Sequence, residues 1–214
     1  MNILLLGPQG SGKGTQGRLL AKKYNFFYFE SGEFLRELAE SNLHIKEVLN
    51  TGELLSDNEM FEIVKNYLNE KNIFENVLFD GYPRSLNQYQ MLVSWLKAKD
   101  KNIDIAFLLN ISDTETLRRL SGRVMDSQTG IVYNTVTNPP SADIDQSRFV
   151  HREDDTPEAI KERLALYHEV TQPLVDELRK ENKLIEINGE RPIDEIQSEL
   201  AKFIEEYKWQ TKLI

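Results

Sequence analysis

Residues Gly7-Pro8-Gln9-Gly10-Ser11-Gly12-Lys13-Gly14-Thr15 have the types and spacing to hold a polyphosphate. Glycines at this density let the backbone turn tightly enough for successive N–H groups to point inward at an anion. A helix starting behind them adds the positive end of its dipole, and Lys13 adds a full charge for the β/γ-phosphate region. The spacing Gly-x4-Gly-Lys is that of a nucleoside triphosphate loop, with one departure. Gly14 follows the lysine, and the hydroxyl comes one residue later at Thr15. In the commonest form the hydroxyl follows the lysine directly and ligates magnesium. A magnesium ion is therefore expected here to be held mostly through water.

Phosphoryl transfer asks for in-line positioning, exclusion of water and cations around the moving group, and little covalent help from protein. Arg36, Arg84, Arg119, Arg123, Arg152 and Arg163 stand at loop junctions and are the candidates. Taken alone, an arginine on a helix is usually a solvated surface residue. Arg84 is better placed, because it closes the turn Asp80-Gly81-Tyr82-Pro83-Arg84 directly after the apolar run Val77-Leu78-Phe79. Arg119 and Arg123 are four apart and share one face if their helix reaches that far. Asp80, at the end of a buried strand, is the candidate magnesium-organising carboxylate. His44, His151 and His168 have no metal-ligand spacing, and with no cysteine there is no thiolate nucleophile, disulfide or cysteine-ligated zinc.

These groups need elements to position them. Ile3–Leu6, Phe26–Phe29, Val77–Phe79, Ile105–Asn110 and Leu184–Ile187 read as buried strands, separated by segments of helical period. Short helices are expected around Phe34–Ala39 and Ile45–Asn50. Ser56 and Ser112 start helices with capping-box spacing to Glu59 and Glu115. Thr156-Pro157 opens a long helix that Pro173 should kink, and Pro192 to about Lys208 forms the last. Alternating strands and helices imply an α/β fold with a mostly parallel sheet covered on both faces, and such sheets bind ligands at the carboxyl ends of their strands. From Gly122 to about Asp155, helix breakers and alternation in Ile131–Thr137 suggest a small lid of antiparallel strands.

The 214 residues suffice for one substantial core with insertions. No apolar run approaches the roughly 20 residues that span a bilayer. A cleaved signal would remove the phosphate loop, so a cytoplasmic protein is expected. A net charge of −9 argues against broad binding to nucleic acid or anionic membrane, so any nucleotide site must be a local island of positive charge.

The phosphate loop, Ser31-Gly32-Glu33-x-x-Arg36, Asp80-Gly81-Tyr82-Pro83-Arg84, Arg119-x-x-x-Arg123, Asn138-Pro139-Pro140, Arg152-Glu-Asp154-Asp155, Arg163-Leu-x-x-Tyr167 and Thr171-x-Pro173-Leu174 together resemble the adenylate kinases, in that family's order, from residue 1 to about 200. The resemblance implies reversible transfer of the γ-phosphoryl of Mg-ATP to AMP, giving two ADP, by a monomer. It implies a P-loop parallel five-stranded sheet flanked by helices, with a core of residues 1–29, 60–121 and 156–214. The insertions would be a helical AMP-binding flap at 30–59 and a small, mostly β lid at 122–155. Gly10, Ser11, Gly12, Lys13, Gly14 and Thr15 would hold the ATP phosphates. Arg119, Val132 and Tyr133 would flank its base and ribose, Arg123 would contact phosphate, and Glu186 would lie near the donor through its backbone. Ser31, Arg36, Glu53, Leu54, Leu55, Gly81, Tyr82, Pro83, Arg84 and Gln88 would surround AMP. The Gln88 amide offers both a donor and an acceptor to an adenine edge. Lys13, Arg84, Arg123, Arg152 and Arg163 would gather around the phosphoryl in flight, with Arg152 and Arg163 also on the AMP side.

Several residues depart from the family pattern. Asp126-Ser127-Gln128-Thr129 stands where many long-lid relatives have their first zinc cysteines, so a metal-free lid held by polar side chains is expected. Val124 leaves one fewer charge near the donor, Glu33 replaces the usual aspartate, and Ser31 the usual threonine. The alternatives are a UMP/CMP-type kinase, disfavoured by Gln88 and the long lid, and a nucleotide sensor without catalysis, disfavoured by arginines around two sites.

Overall fold

The computed structural model describes residues 1–51, 53–136, 138–151 and 155–211. The chain runs β1 (Ile3–Leu6), α1 (Lys13–Tyr24), β2 (Phe27–Glu30), α2 (Ser31–Ala39), α3 (Leu43–Thr51), α4 (Asp57–Glu70), β3 (Val77–Asp80), α5 (Leu86–Lys97) and β4 (Ile105–Asn110). It continues with α6 (Asp113–Ser121), β5 (Arg123–Asp126), β6 (Val132–Asn134), β7 (Phe149–Val150), α7 (Pro157–Lys180), β8 (Leu184–Asn188) and α8 (Ile193–Thr211). Five strands form one parallel sheet in the order β2-β3-β1-β4-β8.

Side-chain alternation explains why β1 and most of β3 and β4 are apolar at successive positions. Leu4, Leu6, Phe79, Ala106 and Leu108 face one side, where α4, α5 and α7 contribute Val64, Leu68, Leu92, Leu96, Leu174 and Leu178. Ile3, Leu5, Leu78, Ile105, Phe107 and Leu109 face the other, against Leu20 of α1 and Ile196, Leu200 and Ile204 of α8. A sheet covered on both faces needs apolar residues at both phases of its pleat. The chain adds β2 and β3 on one side of β1 and then β4 and β8 on the other. The loop after β1 therefore opens at a topological switch point.

Four of the helix starts are closed by a hydroxyl side chain. Ser56, Ser85, Ser112 and Thr156 accept hydrogen bonds from the N–H groups of Glu59, Gln88, Glu115 and Ala159. α1 differs: Gly12 precedes it at φ 96°, no side chain caps it, and its first turn carries no acid. Its positive end is left for something else to satisfy.

Local differences from the sequence reading have local causes. β2 begins at Phe27 rather than Phe26, because Asn25 at φ 58° ends α1 and the Phe26 N–H still bonds back to Ala21. α2 starts at Ser31, directly from the strand, rather than near Phe34. α6 stops at Ser121 before Gly122, so Arg123 opens β5 and does not share a helix face with Arg119. The long helix expected after Thr156 is one element, Pro157–Lys180, with Pro173 inside it. β5 pairs antiparallel with β6 and β7 in a separate small sheet, rooted where Leu120 of α6 meets Ile160 and Leu164 of α7.

Candidate active site

A cleft of about 1330 Å³ opens along the carboxyl ends of the sheet strands. Its floor is the loop after β1, whose Gly10 and Gly12 sit at φ 79° and 96°, backbone that side chains resist. Ser11 is buried, and Gly10, Ser11, Gly12, Lys13, Gly14 and Thr15 all line the cleft. The Lys13 ammonium donates to the carbonyls of Gly7 and Pro8 at 2.7 and 2.8 Å. Burial pushes its pKa down to about 8; the Asp80 charge opposes this, while Arg84 and Arg123 act in the same direction as burial. Arg84 in turn feels the charges of Arg163 and Arg36. Cations spread from residue 13 to residue 163 thus share one electrostatic neighbourhood.

On one side of the cleft, β2 and β3 are followed directly by Ser31 and Gly81. Gly81 has φ 74°, and a Cβ there would stand 2.6 Å from the buried Ser31 hydroxyl. The Arg84 Nε donates to the Gly81 carbonyl at 3.0 Å, and the Arg84 backbone N–H donates to Gln88 Oε1 at 2.7 Å. This second bond orients the Gln88 amide, which is 4% exposed, and uses one carbonyl lone pair. The other lone pair and the NH₂ group remain, so the donor–acceptor edge survives. Tyr82–Pro83 is cis. Arg36, Glu53, Leu54, Leu55, Tyr82 and Pro83 complete this wall.

The opposite wall comes from α6, the small sheet, α7 and the loop after β8. Arg119 donates to Glu115 at 2.6 Å and to the carbonyls of Gly10 and Gly189 at 3.2 and 2.9 Å, joining three segments. Arg123 meets Asp155 through two bonds of 2.7 and 2.5 Å, and Arg163 reaches the same carboxylate at 3.1 Å. One buried aspartate therefore orients two guanidinium groups. Val132 and Tyr133 line the cleft beside them.

Two sequence-predicted residues stand apart. Arg152 lies outside the described residues. Glu186 does not line the cleft: its side chain is on the sheet edge, bonded to Arg179 and Asn110. β8 reaches the cleft only past its last residue, where Gly189, Glu190, Arg191 and Pro192 form the wall. The signal was present in the sequence, since a turn with a proline after a late parallel strand belongs at the ligand edge.

Asp80 is 5% exposed and accepts a 2.7 Å bond from the Tyr28 hydroxyl. Burial pushes its carboxyl up, with Lys13 and Tyr28 opposing. Among the described residues, no three His, Cys, Asp or Glu side chains gather as a metal cage. The buried Asp80 carboxylate and the Thr15 hydroxyl, both lining the cleft, offer oxygen donors only. That set fits a hard, hydrated cation such as magnesium that takes its remaining ligands from phosphates and water.

Comparison with known proteins gives the family of the chain. The family model described as "Adenylate kinase" matches residues 5–183. Proteins named adenylate kinase from Methanothrix thermoacetophila and Methanosarcina mazei are 35% and 37% identical, covering 97% and 95% of this chain and 100% of each relative. One from Petrotoga mobilis is 33% identical over 98% of this chain and 100% of its own length.

Proposed function

Because the chain belongs to the adenylate kinase family and is an ATP:AMP phosphotransferase yielding two ADP, we propose that the two walls of the cleft bind the two nucleotides separately, tail to tail. ATP lies with its phosphates on Gly10 to Thr15 and its base and ribose near Arg119, Val132 and Tyr133. AMP lies against Ser31, Arg36, Glu53 to Leu55 and Gly81 to Arg84, with Gln88 on its adenine edge. The observation that carries this division is the meeting of Lys13, Arg36, Arg84, Arg123 and Arg163, drawn from separate segments, around one cleft at the strand ends.

Chemistry follows from position. An AMP phosphate oxygen attacks the γ-phosphorus of ATP in line, and the β-phosphate oxygen leaves as the terminal group of ADP. Lys13 and the free N–H groups at the start of α1 hold the β- and γ-phosphates. Arg84, Arg123 and Arg163 surround the equatorial oxygens, where charge spreads as the group moves. Asp155 keeps two of these arginines from wandering. Arg152, from its position in the motif, is assigned to the same group. Adenylate kinases use magnesium with ATP generally; Asp80 and Thr15 would hold it here, chiefly through water, and it would neutralise phosphate charge. No general base is required, because the attacking phosphate is already ionised.

Residues 30–59 and 122–155 act as a flap over AMP and a lid over ATP, whose closure excludes water as a competing acceptor. We take the enzyme to act as a monomer, since residues of one chain suffice to line both walls. The acidic net charge supports an enzyme without nucleic-acid partners, and we take it to be cytoplasmic; among the described residues no helix is long and apolar enough to cross a membrane. The test is ADP formation from Mg-ATP with AMP, CMP, UMP, GMP or no acceptor. AMP should exceed the pyrimidine monophosphates by at least about tenfold in kcat/KM. Preference for UMP or CMP would overturn the Gln88 assignment, and rapid ADP release without acceptor would overturn closure.

A further inference from the structure

Glu30 and Arg18 have no role in the assignments above, yet they stand beside the AMP wall. β2 and β3 pair with Glu30 next to Asp80, so adjacent strands end in two carboxylates. Tyr28, two residues earlier on β2, donates to Asp80 and lies 3.4 Å from Glu30. α1 packs closely here because Gly17 has no side chain: a Cβ there would be 2.5 Å from Cε2 of Tyr28. That approach carries Arg18 over the Tyr28 ring at 5.6 Å and sets its Nη2 2.7 Å from Glu30 and 3.0 Å from Glu33. Arg36 Nη2 is 3.8 Å from the other Glu30 oxygen. Glu30, with its side chain 20% exposed, is thus shared between one guanidinium from α1 and one from α2.

We propose that Glu30 is a built-in competitor of the AMP phosphate for Arg36, and that Arg18 is a positioning residue that weakens this competition by holding Glu30. The inference rests on the reading that Arg36 binds the AMP phosphate. An incoming phosphate must take Arg36 from whatever anion already occupies it, and that anion competes less when its charge is satisfied elsewhere. The distances fit: the Arg18 contact with Glu30 is a close hydrogen-bonded pair, whereas the Arg36 contact is near the outer limit of ion pairing. Without Arg18, Glu30 would have Arg36 as its nearest guanidinium and would hold it more tightly. Without the Glu30 charge, Arg36 would be fully available and Arg18 would have nothing to hold back.

The test is a cycle of Arg18→Gln, Glu30→Gln and the double variant, with steady-state KM for AMP and for ATP and Tm as a check of folding. Arg18→Gln should raise KM for AMP about three- to tenfold, the scale of a partly exposed ion pair. KM for ATP should stay within about twofold on the same scale. Glu30→Gln should lower KM for AMP, and Arg18→Lys should recover part of the loss. In the Glu30→Gln background, Arg18→Gln should change KM for AMP less than about twofold, the mark of coupling through that carboxylate. An equal rise in both backgrounds, or an equal rise for ATP, would overturn the proposal. Arg36→Ala separates it from the reading beneath it. If KM for AMP is unchanged in Arg36→Ala, the Arg36 assignment itself fails. If it rises while the Arg18 and Glu30 series stays flat, only the competition fails.

Discussion

Lys13 carries its charge into surroundings that disfavour it, and both activity and stability should register this. Below about pH 8 the ammonium is charged in the folded free enzyme; above it the charge is lost, while the unfolded chain keeps its proton to about 10.5. The charged form is therefore penalised on folding at neutral pH, and stability contributed at this position rises as pH climbs through that window. kcat/KM for ATP should fall above about pH 8, and Lys13→Met should lose at least about 10²-fold in kcat, on the scale of other phosphate-site cations. The same variant should melt higher than the parent at pH 7, with the gap closing near pH 10.5. A lower Tm at both values would show that the bonds to Gly7 and Pro8 outweigh the burial of charge. Gly81 is constrained differently. Gly81→Ala must adopt a left-handed backbone and crowd the Ser31 hydroxyl. That should cost about 2 kcal/mol or more, or roughly 4–8 °C in Tm, with a selective rise in KM for AMP. An unchanged Tm would mean the Ser31 side chain moves aside freely.

At the scale of elements, helix starts divide by what satisfies them. α4, α5, α6 and α7 each have one start N–H taken by a serine or threonine hydroxyl, whereas α1 has no such cap and presents its start to the cleft. The small sheet of β5, β6 and β7 is fastened by polar side chains. Asp126 of β5 is buried and accepts from the Gln128 N–H at 2.9 Å and from Arg148, just before β7, through Nε at 3.0 Å and a second, shorter bond. Burial would push this carboxyl up, but the Gln128 N–H and Arg148 outweigh it and hold the pKa down to about 2. Its stabilising contribution is thus complete above the ordinary aspartate value and lost only as pH falls through about 2. Asp126→Ala should speed proteolysis and amide exchange in residues 123–150 and raise KM for ATP more than KM for AMP. Adding a zinc chelator to the parent should leave Tm unchanged; a marked fall would reveal metal ligands among residues 122–155. The composition of Asp126 to Thr129 pointed to polar fastening. The partner, Arg148, was not legible, because nothing in a 22-residue separation marks which arginine a strand residue will meet.

At the scale of the whole molecule, the active arrangement is a meeting of segments across the edge of one sheet. Two nucleotides bound tail to tail predict that a mimic joining two adenosines through five phosphates bridges both walls. Saturating mimic at about 100 times its Kd should stabilise the enzyme by about 2.7 kcal/mol, or roughly 5–10 °C in Tm. Arg36→Ala and Arg123→Ala should each weaken that gain, and dependence on only one wall would sink the two-site reading. Several parts of this were determined by the sequence alone, because they depend on neighbours within a few residues. The phosphate loop, the doubly apolar strands, the capped helix starts and the turn Asp80 to Arg84 are all of this kind, and their order implied the parallel sheet. Tertiary structure decided what depends on crossovers. Asp155 serves both Arg123 and Arg163, Glu30 lies between Arg18 and Arg36, and Gly189 to Pro192, rather than Glu186, reach the cleft. The physical reason is that spacing along a chain controls direction only within one helix or strand. Once the chain crosses the sheet, the packing of whole faces sets which distant side chains come within the few ångströms where charge and hydrogen bonding act.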